Sequence, residues 1–154
     1  MTDDVDRIMA IMTTAFDPAY GEAWNRRQLE DALVMANSHY LLISSDGTAP
    51  SPGMAAAGFS LSRYGYREEE LLLFAVAPEY RRRGLGRILL GRFAAAAKSR
   101  GAERLLLEMR RGNSAEVLYR NIGFLPIGQR TNYYRAADGT RLDAVTFACD
   151  LFPG

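Results

Sequence analysis

A mixed α/β domain is the fold class that the sequence predicts, on three observations. The chain opens with helical apolar periodicity, Val5, Ile8, Met9 and Met12 recurring between Asp4 and Ala15. Its middle holds a run apolar at every position, Leu71-Leu72-Leu73-Phe74-Ala75-Val76, which suits a central strand covered on both faces. From there the pattern alternates strand, helix, strand, helix, strand, strand, with no repeat, low-complexity tract or linker, so residues 1–154 read as a single domain.

Each element has its own signal. Asp4 to Ala15 is the first helix, and Phe16 to Trp24, with Pro18 and Gly21, is a loop. Asn25 caps a second helix that reaches about Ala36, with Leu29, Leu33 and Val34 inward. Tyr40 to Ser44 is a short strand. Asp46 to Gly53, with two Pro and two Gly, is a turn or loop. Met54 to Arg63 and Glu70 to Ala77 are two strands joined near Gly65, the second ended by Pro78, which has no N–H for a ladder. A long helix runs from about Gly86 to Arg100 and stops at Gly101. Glu103 to Met109 is a strand and Asn113 to Asn121 a short helix ending at Gly123. Phe124 to Arg130 and Leu142 to Asp150 are the last strands, with a turn at Ala136 to Gly139.

Composition narrows the function classes. At 154 residues and 48% apolar, a core can form without metal or disulfide staples, burying roughly 70% of the unfolded chain's surface. Nineteen basic residues against 18 acidic ones, net +1, argue against a nucleic-acid track. Cys149 stands alone, so no intramolecular disulfide is possible, and it reads as a small buried apolar group rather than a nucleophile. His39 is the sole histidine, reads as structural, and no metal site is expected. The start, Met1 to Asp4, is acidic and no signal peptide or membrane-spanning run is visible, so a cytoplasmic protein, a monomer or weak dimer with no membrane partner, is expected.

Two stretches carry chemistry. In the first, Val76 to Arg87, a buried strand halts at proline, three arginines follow, and Gly84 and Gly86 open a helix. A helix start presents orphan N–H donors and about half a unit of positive charge. Glycines let the backbone approach an anion, and arginines neutralise phosphate. The stretch reads as a pyrophosphate cradle, against the alternative of a Gly-rich turn with solvated arginines. It lacks the Gly-Lys-Ser/Thr of a Walker loop and the three glycines of the dinucleotide fingerprint.

The second stretch places Glu108 at the end of the apolar strand Leu105-Leu106-Leu107, with Tyr119 one short helix later. One group that accepts a proton and another that donates one are what general acid–base catalysis requires. A buried carboxylate and a tyrosine hydroxyl suit those tasks. Glu108 paired with Arg104 or Arg110, and Tyr119 as a packing ring, are the structural alternatives.

The first stretch resembles the Arg/Gln-x-x-Gly-x-Gly/Ala signature of the GCN5-related N-acetyltransferase (GNAT) superfamily. The resemblance implies that fold: a mixed central sheet of about six or seven strands flanked by about four helices, splayed at the strand preceding the Arg81–Gly86 loop. It implies acetyl-CoA as co-substrate, contacted by Arg82, Arg83, Gly84, Leu85, Gly86 and Arg87, with Phe74, Ala75 and Val76 pairing their backbone with the pantetheine arm. The second stretch resembles the Leu-Glu-Val-Arg … Asn … Leu-Tyr … Gly-Phe pattern of the bacterial ribosomal-protein alanine N-acetyltransferases (the RimI group). It implies Glu108 as proton acceptor, Tyr119 as proton donor and Asn113 as a coenzyme contact. Asn113 precedes Tyr119 by six positions, one fewer than in that pattern, and Gly112 is the other occupant of the place.

Gln129 to Tyr134, Asp138-Gly139 and Asp143-Ala144 resemble the C-terminal section of the same group. Tyr133 and Tyr134 then wall a groove for a peptide N-terminus, with Trp24 opposite; closing the core is the alternative, above all for Trp24. The resemblance implies direct acetyl transfer to a protein N-terminus such as that of a ribosomal protein. A small-molecule amine as acceptor, or a non-catalytic acetyl-CoA-binding module, are the competing readings.

Overall fold

The computed structural model describes residues 3–151; Met1, Thr2 and Phe152 to Gly154 lie outside the described residues, and with them the outer part of the acidic start. The Asp3 carboxylate accepts the Asp6 N–H at 2.8 Å and starts α1, Asp4–Ala15. Asn25 and Gln28 exchange side-chain and backbone bonds in a capping box that starts α2, Arg26–Leu33. That helix stops short of Ala36 because Asn37 is drawn into the sheet, its backbone and side chain both bonding Tyr64 at 2.9 Å.

Six strands follow: β1 Ser38–Ile43, β2 Gly58–Gly65, β3 Glu68–Val76, β4 Arg104–Arg110, β5 Leu125–Arg135 and β6 Arg141–Asp150. They form one sheet in the order β1-β2-β3-β4-β6-β5, with β3 and β4 parallel and the other neighbours antiparallel. Helix α3 is Leu85–Ser99, between β3 and β4, and α4 is Glu116–Ile122, between β4 and β5. Helix α4 starts later than Asn113 because residues 111–115 form a turn, with Gly112 at φ 88° and the Asn113 side chain accepting the Ala115 N–H at 2.9 Å. Strand β5 continues past Arg130 and carries both Tyr133 and Tyr134.

Two layers cover the sheet. Ile8, Ile11 and Met12 of α1 and Leu29 of α2 pack on Phe59, Leu61, Leu73 and Ala75. On the other face Leu90, Phe93 and Ala97 of α3 and Tyr119 of α4 pack on Leu105, Leu107, Met109, Val145, Phe147 and Cys149. Cys149 is thus a core residue, and burial raises the pKa of its thiol. The apolar run of β3 is explained by these two layers: Leu73 and Ala75 face the first, and Phe74 and Val76 the second.

The feature that positions the site lies in the middle of β3. Leu61 pairs with Leu73 and Ser62 with Leu71, which leaves Leu72 as an extra residue, a β-bulge. Parallel pairing to β4 runs from Glu68↔Arg104 to Leu71↔Leu107 and stops there. A bulge turns a strand and interrupts its ladder. Beyond Leu71 and Leu107 the two strands therefore part, each still paired to its outer neighbour, and a cleft opens between them.

Candidate active site

The wall of the cleft on the β3 side is an open strand edge. The Ala77 N–H bonds the Ala57 carbonyl of the β2 side at 2.8 Å. Backbone groups alternate sides along a strand, so Ala75 also turns to β2, while Phe74 and Val76 turn their N–H and C=O to the cleft. Of the three residues expected to pair with a pantetheine arm, Phe74 turns both its N–H and C=O to the cleft and Val76 its N–H. The Val76 carbonyl is taken by Arg81 Nε at 3.0 Å, and Arg81 also donates to the Ala15 carbonyl at 2.8 Å. Arg81 is thus a brace that ties the loop to β3 and to the end of α1.

At the end of this edge sits the start of α3. Gly84 is its N-cap at φ 78°, with no side-chain cap, and a Cβ there would meet nothing within 4 Å. The first turn thus has no side-chain cap for its N–H groups. Leu85 offers only its backbone, because its side chain is buried with Ile43, Ala57 and Leu89. Gly86 has a different reason for lacking a side chain: a Cβ would lie 3.0 Å from Leu118 and 3.4 Å from Phe74, so it allows α3 to approach α4 and β3. Arg82, Arg83 and Arg87 are exposed and form no ion pair among the described residues. Uncapped donors and unneutralised guanidiniums at one helix start fit a diphosphate.

The opposite wall is β4. Leu107 and Met109 turn into the core, so Glu108 and Arg110 share the other face. The Glu108 carboxylate, 18% exposed, meets Arg130 Nε of β5 at 3.2 Å and accepts from Thr146 Oγ1 of β6 at 3.3 Å. Its partner is therefore neither Arg104 nor Arg110; Arg104 pairs with Asp150. Arg110 lies over the Tyr20 ring at 3.6 Å and meets Glu22 at 3.4 Å.

Tyr119 rises from α4 behind the cleft, its ring edge-on to Phe74 at 6.1 Å and to Phe124 at 5.9 Å. Burial first, then the negative charge of Glu22, pushes its hydroxyl well above the ordinary tyrosine pKa, so it keeps its proton at neutral pH. The Tyr134 hydroxyl is pushed up to about 12 by burial and then by Glu108 and Glu22. Tyr133 is half exposed and packs edge-on against Tyr134 at 5.3 Å, with Arg130 4.8 Å from its ring centre. The tip of the β5–β6 hairpin is fastened to the α1–α2 connection, the Ala137 N–H donating to the Ala19 carbonyl at 2.6 Å.

Tyr119 thus meets Phe74 on the α3–α4 face of the sheet, Tyr134 feels the charges of Glu108 and Glu22, and Asn113 lies in the turn beyond β4, where its Oδ1 serves the turn itself. Trp24 is set apart: it is half-buried against the α1–α2 core cluster, so its contacts belong to packing. Tyr20 and Glu22 escaped the sequence reading, because a short irregular connection gives no periodic signal for what it will meet, and Arg110, weighed as a partner of Glu108, pairs with Glu22 instead. Among the described residues no group of three or more His, Cys, Asp or Glu could hold a metal ion, and no helix is long and apolar enough to cross a membrane.

This arrangement can be set beside known proteins. Residues 5–124 match the family model described as Acetyltransferase (GNAT) family. The chain belongs to the GNAT acetyltransferase family. Over 94 residues it is 39% identical to the ribosomal protein bS18-alanine N-acetyltransferase of Haemophilus influenzae, covering 61% of this chain and 64% of that one. Over 96 residues it is 40% identical to the protein of the same name from Escherichia coli, covering 62% and 64%. The matched region thus spans just under two thirds of the length of these curated relatives. The crystal structure of the ribosomal-protein-S18-alanine N-acetyltransferase from Escherichia coli superposes with a TM-score of 0.79 at 28% identity, covering 99% of this chain and 92% of that one. The GNAT fold class read from the sequence, and its likeness to the ribosomal-protein alanine group, are borne out.

Proposed function

We propose that this GNAT protein transfers the acetyl group of acetyl-CoA directly to an amine, and that the acceptor is the α-amino group of a protein N-terminus, such as that of a ribosomal protein. The observation that carries the reading is the parting of β3 and β4 beyond Leu71 and Leu107, which leaves free backbone groups leading to an uncapped helix start. An arm bearing amides can pair with Phe74 and Val76 as an added strand would, and its diphosphate then reaches the N–H groups of Leu85 to Arg87 and the side chains of Arg82, Arg83 and Arg87.

The chemistry follows from what lines the cleft. The acceptor arrives largely as an ammonium, whose ordinary pKa is about 7.7–8.0. Glu108 takes its proton, directly or through water. The freed nitrogen attacks the thioester carbonyl carbon, and the Val76 N–H at the strand edge polarises the carbonyl oxygen. The carbon–sulfur bond breaks, Tyr119 gives its proton to the departing thiolate, and the second proton shed by the nitrogen as the amide forms returns through water to Tyr119, while Glu108 releases the first to solvent. The acceptor enters along Tyr133 and Tyr134. The kinship with the bS18-alanine N-acetyltransferases supports a protein N-terminus over a small amine.

The test measures release of free thiol with acetyl-CoA and a panel of ribosomal-protein N-terminal peptides beside small amines. Peptide turnover well above that with small amines is expected; turnover confined to small amines would overturn the acceptor assignment. Tyr119→Phe should lower kcat about 100-fold with acetyl-CoA affinity unchanged. Wild-type turnover in that variant would remove Tyr119 from the mechanism.

A further inference from the structure

The acceptor end of the cleft holds a second carboxylate that this mechanism does not use. Glu22 follows Gly21, whose left-handed backbone (φ 61°) ends the short turn Pro18–Tyr20 and redirects the chain toward the cleft. Its carboxylate is 18% exposed, the same as that of Glu108. Arg110 holds it by one oxygen, Oε1, at 3.4 Å, and Arg110 itself lies over the Tyr20 ring, 3.6 Å from its centre. Because Arg110 lies two residues beyond Glu108 on the same face of β4, this pair anchors Glu22 next to the catalytic strand. Tyr134 experiences both negative charges, which sets it in reach of the two carboxylates.

Each carboxylate has a cationic partner and an oxygen left over. Arg130 and Thr146 both address Oε2 of Glu108, and Arg110 addresses Oε1 of Glu22. Glu108 Oε1 and Glu22 Oε2 make no hydrogen bond among the described residues, and no side-chain oxygen there is both sealed from solvent and unpartnered. Two guanidiniums thus balance two carboxylates, and the remaining oxygens can accept from an incoming donor without leaving a naked charge behind.

We propose that Glu22 is the ammonium-binding residue of the acceptor site: its open oxygen receives the protonated amine and Arg110 holds it in position, while Glu108 removes the proton. The inference rests on the reading of this cleft as the acceptor site with Glu108 as base. It divides binding and proton transfer between two carboxylates, since a group that binds the ammonium strongly is a poor base for it.

The test is steady-state kinetics with an acceptor peptide whose α-ammonium is its only positive group, comparing Glu22→Gln, Glu22→Asp and Glu108→Gln. Glu22→Gln keeps an oxygen for Arg110, so the loop stays anchored; its melting temperature is checked against wild type. A rise of about tenfold in acceptor KM is expected, with kcat within about twofold and acetyl-CoA KM unchanged. Glu22→Asp, which restores the charge, should recover most of the loss. Unchanged acceptor KM in Glu22→Gln would overturn the proposal, as would a fall in kcat at unchanged KM, which would make Glu22 a proton-transfer group. Wild-type kcat in Glu108→Gln would instead sink the base assignment, a failure distinct from that of Glu22.

Discussion

Single residues in this protein serve ends that their identity alone does not reveal. Gly84 and Gly86 stand two positions apart, yet the first supplies a left-handed cap open to a ligand and the second a gap for Leu118 and Phe74. Asp4 illustrates a charge at work in stability. Its carboxylate accepts the Tyr40 hydroxyl at 2.6 Å, and that bond first, against burial and aided by Arg7, holds its pKa below the ordinary 3.8. The same bond pushes Tyr40 up from 10.0 to about 12. A depressed carboxylate contributes stability above its unfolded pKa and loses it as pH falls through the folded value. A raised hydroxyl contributes below 10 and loses it as pH rises through 12. The contribution is therefore full between about pH 4 and pH 10. Tyr40→Phe should cost about 0.5–1 kcal/mol at pH 7, a figure discounted for the pair's exposure. Urea unfolding of the two proteins should converge below about pH 4; a gap that persists there would refute the pairing.

Among the elements, β3 and α3 bear on the site most directly. At its far end from the cleft, β3 buries Glu69 completely. Arg100, the C-cap of α3, donates to it through Nε at 2.9 Å and through a second guanidinium nitrogen, and the Ser62 hydroxyl donates as well. This pair fixes the helix whose other end is the proposed anion cradle. Arg100→Ala leaves a buried carboxylate without its cation and should cost about 3–5 kcal/mol in urea unfolding. A loss under about 1 kcal/mol would contradict the account, whereas replacing both partners by Leu and Met should restore much of the stability.

The same elements show what was legible in advance. The apolar run, Pro78 and the Arg/Gly stretch identify a buried strand, its end and the helix start, because each rests on local chemistry. The bulge at Leu72 was hidden, since in a Leu-Leu-Leu run every residue is apolar and a one-residue slip leaves no mark on the pattern. Tyr66 and Arg67 make the two-residue β2–β3 turn with φ 53° and 65°, without the Asn or Gly that would announce it. Of the site, Glu108 and Tyr119 were legible through family resemblance, whereas Glu22 is brought in by tertiary packing of a connection.

At the scale of the whole molecule the account reduces to one geometry. A sheet paired tightly at one end opens at the other, and the opening is bounded by β3's free edge, the start of α3, Glu108 and the clasp between the β5–β6 hairpin and the α1–α2 connection. Two packed layers hold the sheet on either face, and the cleft follows from the parting of β3 and β4 between them. On the proposed mechanism its cationic end takes the coenzyme and its carboxylate end the amine, with the thioester between them.

The most direct test is an amide-resolved NMR titration of the isotope-labelled protein with acetyl-CoA. The account predicts that the largest chemical-shift changes fall on Phe74, Val76 and Arg82 to Arg87, with smaller ones at Glu108. Changes centred elsewhere on the sheet, or none at millimolar acetyl-CoA, would contradict it.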